Sequence, residues 1–193
     1  MPLRLFVALD PPAPARDALA AAQARMRAAL GAAAREVKWV EPGNVHLTLQ
    51  FLGAVDEALA PAVEGAVQAA AAAAQPLSLE VTAAGAFPSP RRPRVLWAGL
   101  SGDLAPLSAL VADLGARLAP LGFPPESRPW SAHLTLGRAR DPHGAAALAP
   151  AAAVAVAPAP WSAREVTLFR SHLSPRGPRY EPLARAPLGS RGR

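Results

Sequence analysis

The chain has 193 residues, enough for one sizeable core or two small lobes that share one, and no cysteine, which excludes disulfides, thiolate nucleophiles and cysteine-based metal sites. The formal net charge is +6 and Lys38 is the only lysine, so the positive surplus is arginine. Ala, Arg and Pro enrichment is a mark of a GC-rich genome, yet the planar arginine fork bonds two phosphate oxygens at once, so the balance permits a nucleotide or nucleic-acid partner.

Residues 3 to 9, LRLFVAL, read as a buried strand ended by Asp10-Pro11-Pro12, and this start resembles a first strand more than a signal peptide. Residues 14 to 33 carry Leu19, Met26 and Leu30 near helical spacing, which predicts an amphipathic helix. VKWV, a turn at Glu41 to Asn44 and the segment VHLTLQFLG then predict a hairpin. A helix is expected from about Asp56 to Ala74, a strand over 77 to 86, and a loop over 88 to 93 that joins two halves. The second half repeats this order: strand 94 to 100, helix 103 to 122 with Leu107, Leu110, Val111, Leu114 and Leu118 on one side, then SRPWSAHLTLGRAR. An alanine- and proline-rich segment over about 141 to 160 reads as part weak helix and part loop. Strand 163 to 173 matches the one at 77 to 86, and Tyr180 to Leu188 is expected as a last edge strand.

The tetrapeptide His-Leu-Thr-Leu thus occurs twice, at His46 to Leu49 and at His133 to Leu136, and takes two of only four histidines. On a strand, side chains alternate between faces, so His and Thr share one face and the leucines the other. Leu47, Leu49 and Phe51 are therefore expected in the core. His46, Thr48 and Gln50 are expected on a polar surface, with His133, Thr135 and a small Gly137 in the second copy. One such strand would be ordinary, whereas a duplicated one keeping both polar residues points to shared chemistry. The expected class is α+β: two pseudo-symmetric lobes of antiparallel sheet with helices outside and the His strands facing a central groove. The approximate repeats are 3–87 and 94–173, within a single domain over 1–193.

These motifs, with RLFVAL, VKWVEPGNVHLTLQFLG, RPRVLWAGL and LFRSHLSPRGPRYEPL, resemble the 2H phosphoesterase superfamily, specifically its RNA 2′,3′-cyclic phosphodiesterase branch, also called 2′-5′ RNA ligases. The resemblance implies hydrolysis of a 2′,3′-cyclic phosphate at an RNA end, tRNA fragments being a candidate source, to a 2′-phosphomonoester without a metal or cofactor. It implies His46 as general acid to the 3′ oxygen and His133 as the base that activates water. Residues alone allow the reverse roles. Two imidazoles suit the task because an unperturbed one titrates at about 6.5. Thr48 and Thr135 can donate to nonbridging phosphate oxygens. Arg138 occupies the place of an arginine in the family pattern and is expected to contact phosphate, although simple alternation puts it opposite in parity to Gly137.

Arg91, Arg92, Arg94 and Arg128 are weaker backbone-contact candidates, and Trp39, Phe87, Trp130 and Tyr180 are candidate base-stacking surfaces. His143 is expected on a surface turn and His172 in a structural role. Two other readings use the same residues: 2′-5′ ligation, in which an RNA 5′-hydroxyl replaces water, and a basic RNA-binding module without turnover. A cytoplasmic monomer with no membrane span completes the expectations.

Overall fold

The computed structural model describes residues 2–141, 145–175 and 177–189; His143 lies outside them. Among the described residues the elements are β1 (Leu3–Leu9), α1 (Ala13–Leu30), β2 (Val37–Trp39), β3 (Leu47–Val55), α2 (Ala60–Ala73) and β4 (Leu77–Ser89). They continue with β5 (Arg92–Gly102), α3 (Leu104–Leu118), β6 (His133–Ala139), β7 (Ala159–Ala163), β8 (Glu165–His172) and β9 (Arg179–Pro187). The fold is α+β. Nine strands form one sheet in the order β7-β4-β5-β6-β3-β1-β8-β9, with β2 added alongside β6.

That order is a pseudo-twofold about the junction of β3 and β6, the two His strands, which meet only at Leu47 and Leu134. Each His strand is flanked by the strand that opens its own half, β1 or β5. The next strand outward comes from the other half: β4 pairs with β5, and β8 with β1. The two lobes therefore exchange strands.

Local sequence explains the helices. Pro12 and Pro14 open α1, where the first turn has no intrahelical acceptor to lose, and Gly31 closes it at φ 52. Its buried stripe is Ala15, Leu19, Ala22, Gln23, Met26 and Leu30, and the chain continues as a 3-10 turn over Gly31–Glu36. Asp56 caps the next helical segment by accepting from the Ala58 amide at 2.9 Å. In α3, Leu107, Leu110, Leu114 and Leu118 are buried as expected, while Val111 is only half-buried. The stretch Leu104–Leu121 is long and apolar enough by composition to cross a membrane, but those four leucines pack into the core.

Several expectations are corrected. Val37–Trp39 does not form a hairpin with β3; it pairs with β6, Trp39 opposite Gly137. Residues 88 to 93 are not a joint between halves but the tip of the β4–β5 hairpin, with Ser89 opposite Arg92. The alanine- and proline-rich segment holds a 3-10 helix over Ala145–Ala153 and then a strand, β7, against β4.

The largest departure from simple alternation lies inside both His strands. In β3, Ala8 faces Thr48 but Val7 faces Gln50, so one residue is extra and Leu49 and Gln50 both turn to the core. Phe51, expected in the core, is thereby returned to the groove face and is 42% exposed. Gln50, expected on the polar surface, is buried and donates to the Phe123 carbonyl at 2.9 Å. In β6 the same bulge follows Thr135: Trp97 faces Thr135 and Leu96 faces Gly137. Gly137 is consequently buried rather than beside the groove, where a Cβ would meet Val37 Cγ1 at 2.6 Å. Arg138 takes the position in its lobe that Phe51 takes in the other.

Gln23 locks the second bulge. Its amide donates to the Leu136 carbonyl at 2.8 Å and the Val40 carbonyl at 2.7 Å, and Val40 N also bonds Leu136 O at 2.9 Å. Gln23→Leu removes both bonds, the one to the Leu136 carbonyl buried and the one to the Val40 carbonyl part-buried, and a loss of about 1–3 kcal/mol is expected. Urea unfolding of the two proteins checks this; an unchanged midpoint would mean the amide is dispensable.

Candidate active site

Both histidines are held in the same way. His46 Nδ1 donates to the Asn44 carbonyl and His133 Nδ1 to the Ser131 carbonyl, each at 2.8 Å and each two residues upstream. A carbonyl offers no proton, so the Nδ1 hydrogens are fixed and the Nε2 atoms are left as the exchangeable positions. Leu47 opposite Leu134 in an antiparallel register puts His46 across from Thr135, and Thr48 across from His133. Each imidazole therefore faces the threonine of the other motif.

The two rings differ in surroundings. His46 lies against Phe6, with centroids 4.6 Å apart, and meets the edge of Tyr180 at 5.2 Å. Burial among these rings lowers its pKa below 6.5; the Asn44 bond and Asp10 pull the other way, while Arg16 and Arg138 add to the lowering. Among the described residues, His133 meets one aromatic ring, the edge of Phe87, at 5.0 Å. Burial also raises the Tyr180 phenol above its ordinary value, against Arg138 and Arg4.

A folded-state pKa below the unfolded one makes stability fall with acid: as pH drops below about 6.5 the unfolded chain takes up a proton that native His46 resists. The Tm of wild type is expected to fall between pH 7.5 and 5.5 by a component that His46→Phe lacks. Parallel Tm profiles for the two proteins would show that His46 titrates normally.

The loops behind the histidines are braced differently. Arg16 on α1 donates to Gly43 O at 2.8 Å, Pro42 O at 3.1 Å, Val45 O at 3.4 Å and Pro11 O at 2.9 Å, and pairs with Asp10 at 2.6 Å. One guanidinium thus wraps the turn that presents the Asn44 carbonyl. On the other side, Trp130 Nε1 donates to Thr48 O at 3.1 Å, tying the segment that presents Ser131 to the opposite His strand.

A cavity of about 410 Å³ lies at His46 and is also lined by Thr48, Thr135, Arg138, Phe6 and Tyr180. A wider one of about 1190 Å³ lies at His133 and again reaches Thr48 and Arg138, so the groove is continuous past both motifs. All five residues singled out from the sequence are brought together: His46, Thr48, Thr135 and Arg138 at the first cavity, His133 with Thr48 and Arg138 at the second. The β6 bulge resolves the parity of Arg138.

Of the weaker candidates, Phe87, Trp130, Arg94 and Arg128 line the wider cavity and Tyr180 the smaller. Arg91 and Arg92 stand exposed at the β4–β5 hairpin tip and line neither. Trp39 is packed against the core, with Arg27 4.6 Å from its centroid and its Nε1 bonded to Ala34 O at 3.0 Å. His172 is bonded to Glu181 at 2.6 Å, bridging β8 and β9. Sequence reasoning missed Arg16 and Gln23. A glutamine on the apolar stripe of α1 was the visible signal for the second; for Arg16 there was none beyond its place after Asp10-Pro11-Pro12. Arg4, Lys38, Phe6 and Phe51 were also missed as cavity residues.

Two imidazoles with fixed Nδ1 protons, crossed with two hydroxyls and an arginine over a curled antiparallel sheet, form an arrangement suited to acid–base chemistry on a phosphate ester. Comparison with known proteins gives the family: the chain belongs to the LigT like phosphoesterases, whose family model matches residues 9–97 and 100–180. Among its relatives, an RNA 2′,3′-cyclic phosphodiesterase of Methanothermobacter thermautotrophicus is 35% identical over 182 residues, covering 93% of this chain and 96% of its own. One from Archaeoglobus fulgidus is 32% identical over 181 residues, covering 94% and 98%. Crystal structures agree: one from Thermus thermophilus aligns with a TM-score of 0.79 at 29% identity, covering 98% of this chain and 100% of its own. Escherichia coli LigT complexed with 3′-AMP aligns at 0.73 and 30% identity, covering 97% and 99%.

Proposed function

We propose that this chain, acting as one bilobal domain, hydrolyses RNA 2′,3′-cyclic phosphate ends to 2′-phosphomonoesters with no metal taking part. The observation that carries the reading is the pair of equivalent His-x-Thr strands whose imidazoles are both pinned at Nδ1. Names borne by relatives along nearly the whole chain support the substrate. His133 Nε2 takes the proton of the attacking water, the new P–O bond forms opposite the 3′ oxygen, and His46 Nε2 donates its proton to that oxygen as its bond to phosphorus breaks. Thr48, Thr135 and Arg138 hold the nonbridging oxygens, where charge builds in the transition state. The lowered pKa of His46 in the free protein fits this role only if the bound anion restores its proton, so substrate binding and proton uptake are coupled.

The test mixes a cyclic-phosphate-ended RNA with an excess of 5′-hydroxyl RNA. A 2′-phosphate end is expected to dominate over joined product, because water far exceeds the RNA hydroxyl in concentration. Joined product as the main outcome would make ligation the activity. Salt-sensitive binding without turnover would leave only an RNA-binding module.

A further inference from the structure

We infer that the cavity at His46 extends into a subsite for the nucleotide immediately 5′ of the cyclic end, with Arg4 and Lys38 on its phosphodiester and Phe51 under its base. The inference rests on the hydrolytic reading above and adds a substrate class to it: an RNA end of two or more nucleotides, preferred over a lone nucleoside cyclic phosphate.

Three observations carry it. Lys38 on β2 stands directly opposite Arg138 on β6. Like charges facing each other across a ladder are unfavourable in the free protein. Arg4 lines the same cavity from β1, and none of the three cations is ion-paired among the described residues. One nonbridging pair of oxygens at the reacting phosphate occupies Arg138; two further cations exceed what that phosphate needs and match a second anion.

Phe51 supplies the other half. The β3 bulge, rather than the hydrophobic pattern, brings it to the groove face, where it is 42% exposed. The Arg4 guanidinium lies 4.7 Å from its ring centroid. An exposed ring beside cations that have no carboxylate partner among the described residues is the combination that binds single strands, bases stacking while the backbone follows the charge. The pseudo-twofold places Phe51 where Arg138 stands in the other lobe, so one lobe presents charge to the reacting phosphate and the other an aromatic face.

The experiment compares kcat/KM for three substrates: a nucleoside 2′,3′-cyclic phosphate, the same compound with a 5′-phosphate, and a dinucleotide ending in the cyclic phosphate. Wild type is expected to gain roughly tenfold at each step. Arg4→Gln and Lys38→Gln are expected to shrink the ratio of the second to the first towards one. Phe51→Ala is expected to shrink the ratio of the third to the second. Ratios are read rather than absolute rates, so general damage cancels. Equal kcat/KM for all three substrates in wild type, or variants that lower all three by one common factor, would overturn the subsite while leaving the hydrolytic reading intact. Failure of all three substrates would instead sink that reading, and the subsite with it.

Discussion

His46→Ala and His133→Ala are each expected to slow cyclic phosphate opening by about 100- to 10,000-fold, the span for one positioned proton transfer. The two losses differ in how they can be repaired. Replacing the bridging 3′ oxygen of the substrate by sulfur gives a leaving group that departs as a thiolate and needs no acid. On this substrate His46→Ala should recover most of its deficit and His133→Ala none. Recovery by His133→Ala instead would exchange the two roles. The geometry alone permits that exchange, because the two rings are related by the pseudo-twofold and anchored alike. What breaks the symmetry is burial: His46 is enclosed by Phe6 and Tyr180, whereas among the described residues His133 meets one ring, the edge of Phe87.

Arg16→Ala carries the second large effect, a fall in kcat of about 100-fold, the scale on which a displacement of about 1 Å is felt in catalysis. Arg16 is a positioning residue; it touches the turn from Pro42 to Val45, and the turn's Asn44 carbonyl holds the His46 ring. A purely structural role would lower Tm and leave the ring as it was. Positioning is read from the imidazole nitrogen resonances of His46: wild type should keep its Nδ1 proton, and Arg16→Ala should show mixed tautomers. Arg16→Lys, able to satisfy only some of the carbonyls with a compact ammonium, should fall between. A wild-type kcat together with an unmixed tautomer in Arg16→Ala would remove this residue from the account.

Alternation within His-Leu-Thr-Leu was enough to place each histidine with its threonine on one face, and the duplicated order of elements was enough to place the motifs on a shared groove. The same alternation failed one residue later in both strands. A bulge adds a residue without changing the hydrophobic pattern, so HLTLQF and HLTLGR each read as uninterrupted strands. A glutamine amide with a partner far away in sequence ties down each bulge: Gln50 within the first donates to the Phe123 carbonyl, and Gln23 on α1 donates to the Leu136 carbonyl within the second. Partner choice was hidden for a similar reason. Val37–Trp39 is followed by a turn and a strand, the local signature of a hairpin, yet its ladder lies with β6, where Gly137 is small enough for Val37 and Trp39 to cross. The tip at Pro90 and Arg91 looked like a joint because prolines cluster there; proline is tolerated at strand ends and turns, and the ladder resumes at Arg92.

The central claim is that two histidines open a cyclic phosphate towards the 2′ position with no metal taking part. It is tested most directly by incubating a short RNA ending in a 2′,3′-cyclic phosphate with the protein in excess EDTA and locating the phosphate in the product by phosphorus NMR. A 2′-monoester, formed at an undiminished rate in EDTA, is the expected result. A 3′-monoester, or opening that EDTA abolishes, would contradict it.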